Sequence, residues 1–207
     1  KKSRRNEKNY WFLKSTLKIK IIHYIEIMFV QTENTPNPNA LKFIPEKKVS
    51  NLSSYEISDK SNINNETIRN ILSINGVKSV FLSKDFLSVN KDESIDWEDL
   101  KHIIISFIND HYSKGNSILY DKNEKLENSD LNEIEKKIVD ILEKKIRPAV
   151  ARDGGDIKFK EFDKGVVKVV LQGSCSGCPS STLTLKKGVE NLLCHYIPEV
   201  KEVIAIT

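Results

Sequence analysis

Val166-Val167-Lys168-Val169-Val170-Leu171-Gln172-Gly173-Ser174-Cys175-Ser176-Gly177-Cys178-Pro179 is the stretch on which the fold turns. Val166 to Leu171 reads as a strand, returning antiparallel from the turn at Asp163-Lys164-Gly165. Pro179 suits the first position of a helix, where its missing N–H leaves no bond unmade. Between them, Gly173 and Gly177 permit backbone angles or close approaches that a side chain would resist. A strand, a tight cysteine-bearing turn and a helix therefore follow one another, with the helix running to about His195 and a last strand over Val200 to Ile206.

Upstream, Leu131, Ile134, Ile138, Ile141, Leu142 and Ile146 recur at helical spacing, behind Ser129 or Asp130 as cap and Glu133 in the first turn. This helix reaches about Arg147, and Pro148 is its kink or its end. Asp153-Gly154-Gly155-Asp156 reads as a turn. Ile157 and Phe159 then alternate with Lys158 and Lys160 as a half-buried strand. Residues 129–207 thus form a two-layer α-β-β-α-β unit with the cysteines at a strand-to-helix turn.

Residues 28–113 form a first unit of the same mixed class. Strands are expected at Phe29–Glu33 and Ala40–Ile44 around the turn-rich Thr35–Asn39, then polar, irregular chain over 46–62. A short helix from Asn65 to Leu72 follows, then a hairpin of Val77–Leu82 and Phe86–Asn90, and a helix from Trp97 capped by Asp96. Residues 114–128 show no apolar period and read as a linker. The fold class is α+β, in two small domains.

Composition narrows the function. The 207 residues are 39% hydrophobic and 30% charged, which suits a globular chain. Of the net charge of +4, residues 1–27 hold +6, from eight basic and two acidic side chains, so the rest is mildly acidic. That body gives no broad electrostatic reason to hold nucleic acid. Lys20, His23 and Glu26 interrupt the apolar run Ile19–Val30, so no membrane span is expected. Met28 is the only methionine, and residues 1–27 are read either as a targeting segment or as an upstream artefact. No nucleophile–base pair, phosphate loop or carboxylate pair stands out, so the expectation is not an enzyme.

Three cysteines are too few for a disulfide framework, and two of them form a C-x-x-C that points to metal or redox chemistry. Cys175 and Cys178 can converge on one metal, and Cys178 sits at a helix N-terminus, where the thiolate that binds metal is favoured. Zinc and cubane iron–sulfur sites need four ligands. Cys194 lies 16 residues beyond Cys178. On a continuous helix that is ~24 Å away, so it reads as a packed or half-exposed helix thiol. The simplest completion is two thiolates from a second copy. A thiol–disulfide redox protein and a zinc-stabilised interaction module use the same C-x-x-C and stay open on spacing alone. A thioredoxin-type site also expects a cis-proline loop, for which the only later proline, Pro198, is no evident candidate.

Arg147-Pro148, Asp153-Gly154-Gly155-Asp156, Gly173 to Ser181 and Gly188-Val189-Glu190 together resemble the C-terminal domain of NifU-type proteins. Phe29 to Glu33 and Thr35 to Phe43 resemble the N-terminal domain of the Nfu subfamily. The resemblance implies a carrier that accepts an iron–sulfur cluster from upstream assembly proteins and hands it to apo-enzymes. It implies a [4Fe–4S] cluster shared between the Cys175 and Cys178 pairs of a homodimer, with a [2Fe–2S] form as the secondary expectation. The expected compartment is bacterial cytoplasm, with the mitochondrial matrix as the alternative.

Overall fold

The computed structural model of the chain describes residues 30–51, 54–61, 63–120, 131–177 and 179–206. Residues 1–29, which include the expected targeting segment and Phe29, lie outside them, as do residues 121–128 of the expected linker.

The first domain is an antiparallel sheet backed by two helices. Its strands are β1 (Gln31–Asn34), β2 (Ala40–Ile44), β3 (Ser54–Ile57), β4 (Val77–Ser83) and β5 (Leu87–Lys91), in the order β1-β2-β5-β4-β3. Helix α1 (Glu66–Leu72) starts where the Asn65 side chain accepts the Ile68 N–H, which satisfies one orphan donor. Helix α2 (Trp97–Ser113) starts after Asp96, as its sequence suggests, but that carboxylate makes no capping bond.

Successive strand residues point to opposite faces. Leu41, Phe43, Ile57, Val80, Leu82, Leu87 and Val89 take one face and pack with Ile68, Ile71, Leu100, Ile104 and Ile108 into a single core. The other face carries Lys42, Ser54, Glu56, Ser79, Phe81, Ser88 and Asn90. A face so polar would ordinarily meet water. Here Ser88 and Phe81 are fully buried, and Lys42, Ser54, Ser79 and Asn90 are buried too. The second domain covers them.

β3 lies within the stretch whose sequence reads as irregular. Its four residues, Ser-Tyr-Glu-Ile, are too few to show a period, and pairing with β4 defines the strand. After α2 the chain packs back, with Leu119 fully buried and the Tyr120 ring stacked on Tyr55 at 5.9 Å.

The second domain opens with α3 (Glu133–Ile141). Asn132 caps it, accepting the Ile134 and Glu135 N–H groups while the Glu135 carboxylate accepts the Asn132 N–H. The expected caps Ser129 and Asp130 lie outside the described residues. A π-helical turn follows at Leu142–Ile146, where the Arg147 N–H bonds back to Leu142 O, and then α4 (Arg147–Arg152). Pro148 has no N–H to give and its ring crowds the preceding turn. The wider turn accommodates it, so the proline neither ends nor breaks the helix.

β6 (Gly155–Asp163) and β7 (Val166–Gly173) form a hairpin through Lys164 and Gly165, both at positive φ. α5 (Pro179–Tyr196) carries the chain back over the sheet so that β8 (Glu202–Ile206) pairs parallel to β7. Val167, Val169 and Leu171 pack with Ile138, Leu142, Val150, Val189, Leu193 and Val203 in a second core.

Replacing Asn132 by Ala removes the reciprocal cap, and the expected loss is ~1 kcal/mol of stability. A urea titration followed by circular dichroism checks it; a midpoint equal to wild type would contradict the assigned role.

Candidate functional site

The site forms where β7 runs out. Gly173, at φ +66°, turns the chain off the strand. The Ser176 N–H and hydroxyl both donate to Gly173 O, at 3.1 and 2.8 Å, and close the turn. Ser174 fastens it to the Asp153–Gly154 turn, its N–H reaching Gly154 O at 3.2 Å and its hydroxyl donating to Asp153 O. Cys175 is thereby held inward, only 6% exposed and packed with the second core.

Gly155 makes that position available. A β-carbon there would sit 2.6 Å from Cys175 Sγ and 2.7 Å from Gln172 O. Of the paired glycines, Gly154 supplies the positive φ and Gly155 leaves room for the thiol. The turn therefore shapes the cysteine site as well as starting β6, a role beyond the backbone angles its sequence suggests. A cavity of about 380 Å³ opens beside Cys175, between Pro36 of the first domain and Val150, Thr184 and Leu185 of the second.

Cys178 lies outside the described residues, immediately before α5. Cys194 is on α5, partly buried against the second core, as a packed helix thiol should be. His102 and His195 are exposed, while His111 ties α2 to its surroundings through Thr67 Oγ1 at 2.9 Å and Ile118 O at 2.8 Å. Among the described residues, no group of three or more His, Cys, Asp or Glu converges as a metal site.

Sequence inspection missed the residues that reach the cysteine turn from the first domain. Asn37 Nδ2 donates to Ser174 O at 3.0 Å and to Ser176 O at 3.3 Å. Its own Oδ1 accepts the Asn39 N–H at 2.9 Å, which fixes the amide with its NH₂ toward the cysteine turn. Asn90 Nδ2 donates to Gly173 O at 3.0 Å. Glu56 accepts from the Gly173 N–H and the Ser176 hydroxyl, each at 3.3 Å. Burial pushes the Glu56 carboxyl above the ordinary carboxylate range, although hydrogen bonds from Ser79, Gly173, Ser176 and Asn90 oppose that shift. The Thr35–Asn39 loop is thus both a structural turn and a contact surface.

A second group of bonds beside the first braces the second domain and reaches Ser54, Ser88 and Lys42 of the first. The Arg147 guanidinium grips Asp156 with two bonds, at 2.7 and 2.8 Å, and this pairing holds Arg147 above its ordinary value. Asp156 also accepts the Ser54 hydroxyl, while Lys158 Nζ reaches Ser54 O at 2.9 Å. Desolvation pulls the Lys158 ammonium below its usual range, with the nearby Arg147 adding to the shift and Asp156 opposing it. Ser88 Oγ donates to Gly154 O at 2.6 Å and Lys42 Nζ to Arg152 O at 3.3 Å.

Comparison with known proteins gives matches across both domains. Residues 30–115 match the family described as scaffold protein Nfu/NifU N terminal, and residues 138–204 match the NifU-like domain. NifU-like protein 4, mitochondrial, of Arabidopsis thaliana is 42% identical over 184 residues, covering 85% of this chain and 65% of the relative. The NFU1 iron-sulfur cluster scaffold homolog, mitochondrial, of Homo sapiens is 40% identical over 185 residues, covering 87% of this chain and 73% of the relative. A solved NifU-like protein from Saccharomyces cerevisiae aligns at 27% identity with a TM-score of 0.42, over 47% of this chain and 87% of that one.

Gly155→Ala should destabilise the second domain by ~1–3 kcal/mol, the usual range for overpacking, and quicken alkylation of the displaced Cys175. Thermal melting with mass-mapped alkylation reads both effects. A variant matching wild type in both would show that the space under the thiol is not needed.

Proposed function

This chain belongs to the NifU-like family and carries the Nfu N-terminal domain, and on that premise we propose that it carries iron–sulfur clusters to proteins that need them. The observation that supports this best is the cysteine turn, which presents Cys175 at the end of a strand with Cys178 directly before a helix. Residues 28–113 and 129–207 act as its two working units, joined by 114–128.

The cluster is cargo. Each chain offers two thiolates, Cys175 and Cys178, and a [4Fe–4S] cube takes four. A second copy is the simplest source of the other two, so the loaded form is a homodimer. A cluster held by so few ligands is suited to being passed on. A [2Fe–2S] cluster on the same cysteines is the lesser reading. The partners are the upstream assembly proteins that supply the cluster and the apo-proteins that receive it, and the role is carriage rather than catalysis. The relatives are mitochondrial by name, which favours the mitochondrial compartment and leaves the bacterial cytoplasmic expectation without support. No described helix is long and apolar enough to cross a membrane.

Anaerobic reconstitution with iron and sulfide should give a brown dimer holding about four irons per two chains, the stoichiometry of a Cys₄ cubane. Cys175→Ala and Cys178→Ala should each abolish uptake, Cys194→Ala should leave it intact, and a chelator should return monomer. A colourless, iron-free monomer would overturn this function. Disulfide turnover by that monomer would point to the redox reading, and zinc uptake to the interaction module.

A further inference from the structure

The first domain grips the very backbone that must carry the cluster. Asn37, Glu56 and Asn90 come from three separate segments of that domain, yet all converge on Gly173–Ser176. The fit is close in space as well as in hydrogen bonding. A β-carbon on Gly173 would lie 2.9 Å from the Phe81 ring, and one on Gly154 would lie 2.8 Å from Ser88 Oγ and 3.1 Å from Thr35. Phe81, Ser88 and Thr35 all belong to the first domain. Two glycines of the second domain therefore leave the space into which the first one settles.

Cys175 packs with the second core and is 6% exposed, and Pro36 of the first domain forms one wall of the cavity that leads to it. A cluster shared by two chains needs a second cysteine turn brought up against the first. The docked first domain occupies one flank of the turn that would have to receive it. We infer that the first domain is an intramolecular cap on the cysteine turn, and that docking of the cap and pairing through a cluster exclude one another. The inference rests on the carrier reading above.

The chemistry of the contact suits a cap that must lift. It is built from side-chain amides, hydroxyls, carboxylates and two lysine ammonium groups, bonded mostly to main-chain groups, with Phe81 as a buried apolar anchor. Polar contacts of this kind resemble transient interfaces more than permanent ones. When the cap leaves, water replaces each partner, so each neutral bond contributes little net stability while still fixing the docked geometry. Linkage makes the coupling reciprocal: cluster binding to the open form drives undocking, and a ligand that takes the polar sheet face frees the cysteines.

Asn37→Asp in the full-length chain is the sharpest test. The carboxylate keeps the acceptor for the Asn39 N–H but turns a negative oxygen toward Ser174 O and Ser176 O. In the apo-protein, alkylation of Cys175, followed on its mapped peptide, should run about tenfold faster than in wild type, the scale set by losing two hydrogen bonds. Asn37→Ala should shift the rate in the same direction by less. Cluster uptake should quicken in step and reach the same final iron content. Near-ultraviolet circular dichroism establishes that the fold is kept. A folded Asn37→Asp protein whose Cys175 reacts at the wild-type rate overturns the cap. A wild-type chain that takes up no iron, while Asn37→Asp still accelerates alkylation, would retain the cap but remove the carrier reading.

Discussion

Where β7 ends, the carbonyls of Gly173, Ser174 and Ser176 need hydrogen-bond donors, and buried carbonyls without donors are costly. Much else in this molecule depends on how that need is met. Ser176 turns back to serve Gly173 O from within the loop. Asn37 and Asn90 bring the remaining donors from the other domain. The polar face of the five-stranded sheet, which has no role inside its own domain's core, becomes intelligible as the complement of this turn. The same need couples the two domains, because the groups that satisfy the cysteine turn are attached to a separately cored unit.

The local pattern carried much of the fold. The strand before the cysteines, the proline that opens α5 and the turn at Lys164–Gly165 are all written in short-range chemistry, and the structure places them within a few residues of expectation. The polar sheet face is different. Ser79, Ser88 and Asn90 alternate with apolar residues as they would on a solvated strand, and nothing local separates water from a second domain as their neighbour. Glu56 lies on a four-residue strand too short to announce itself. Asn37 sits in a turn whose asparagines and prolines already have a sufficient local reason to be there. The C-x-x-C of the candidate site is therefore plain in the sequence, while the side chains that hold its loop depend on contacts more than a hundred residues away for Asn37 and Glu56.

Pro148 and Gly155 teach a related lesson about backbone. A proline inside an amphipathic pattern signals disturbance, but whether the helix stops or widens is decided by the packing around it. Here a π-helical turn lets it continue far enough to deliver Arg147 to Asp156. A glycine pair signals a turn, but only the packed structure shows that one glycine is there for its angle and the other for the volume of a thiol. Both features serve the cysteine site, one by pinning the strand that faces it and the other by making room for it.

The most direct measurement of the capped state is the distance between the domains in the apo and cluster-loaded full-length protein. Fluorophores coupled through unnatural side chains at Ile103 and Tyr196, both exposed and one on each domain, would report it without touching the native cysteines. A cap that lifts predicts one narrow distance in the apo-protein that lengthens and broadens when the cluster is taken up. An identical narrow distance in both forms would show that the cluster is held with the first domain still in place, and would contradict it.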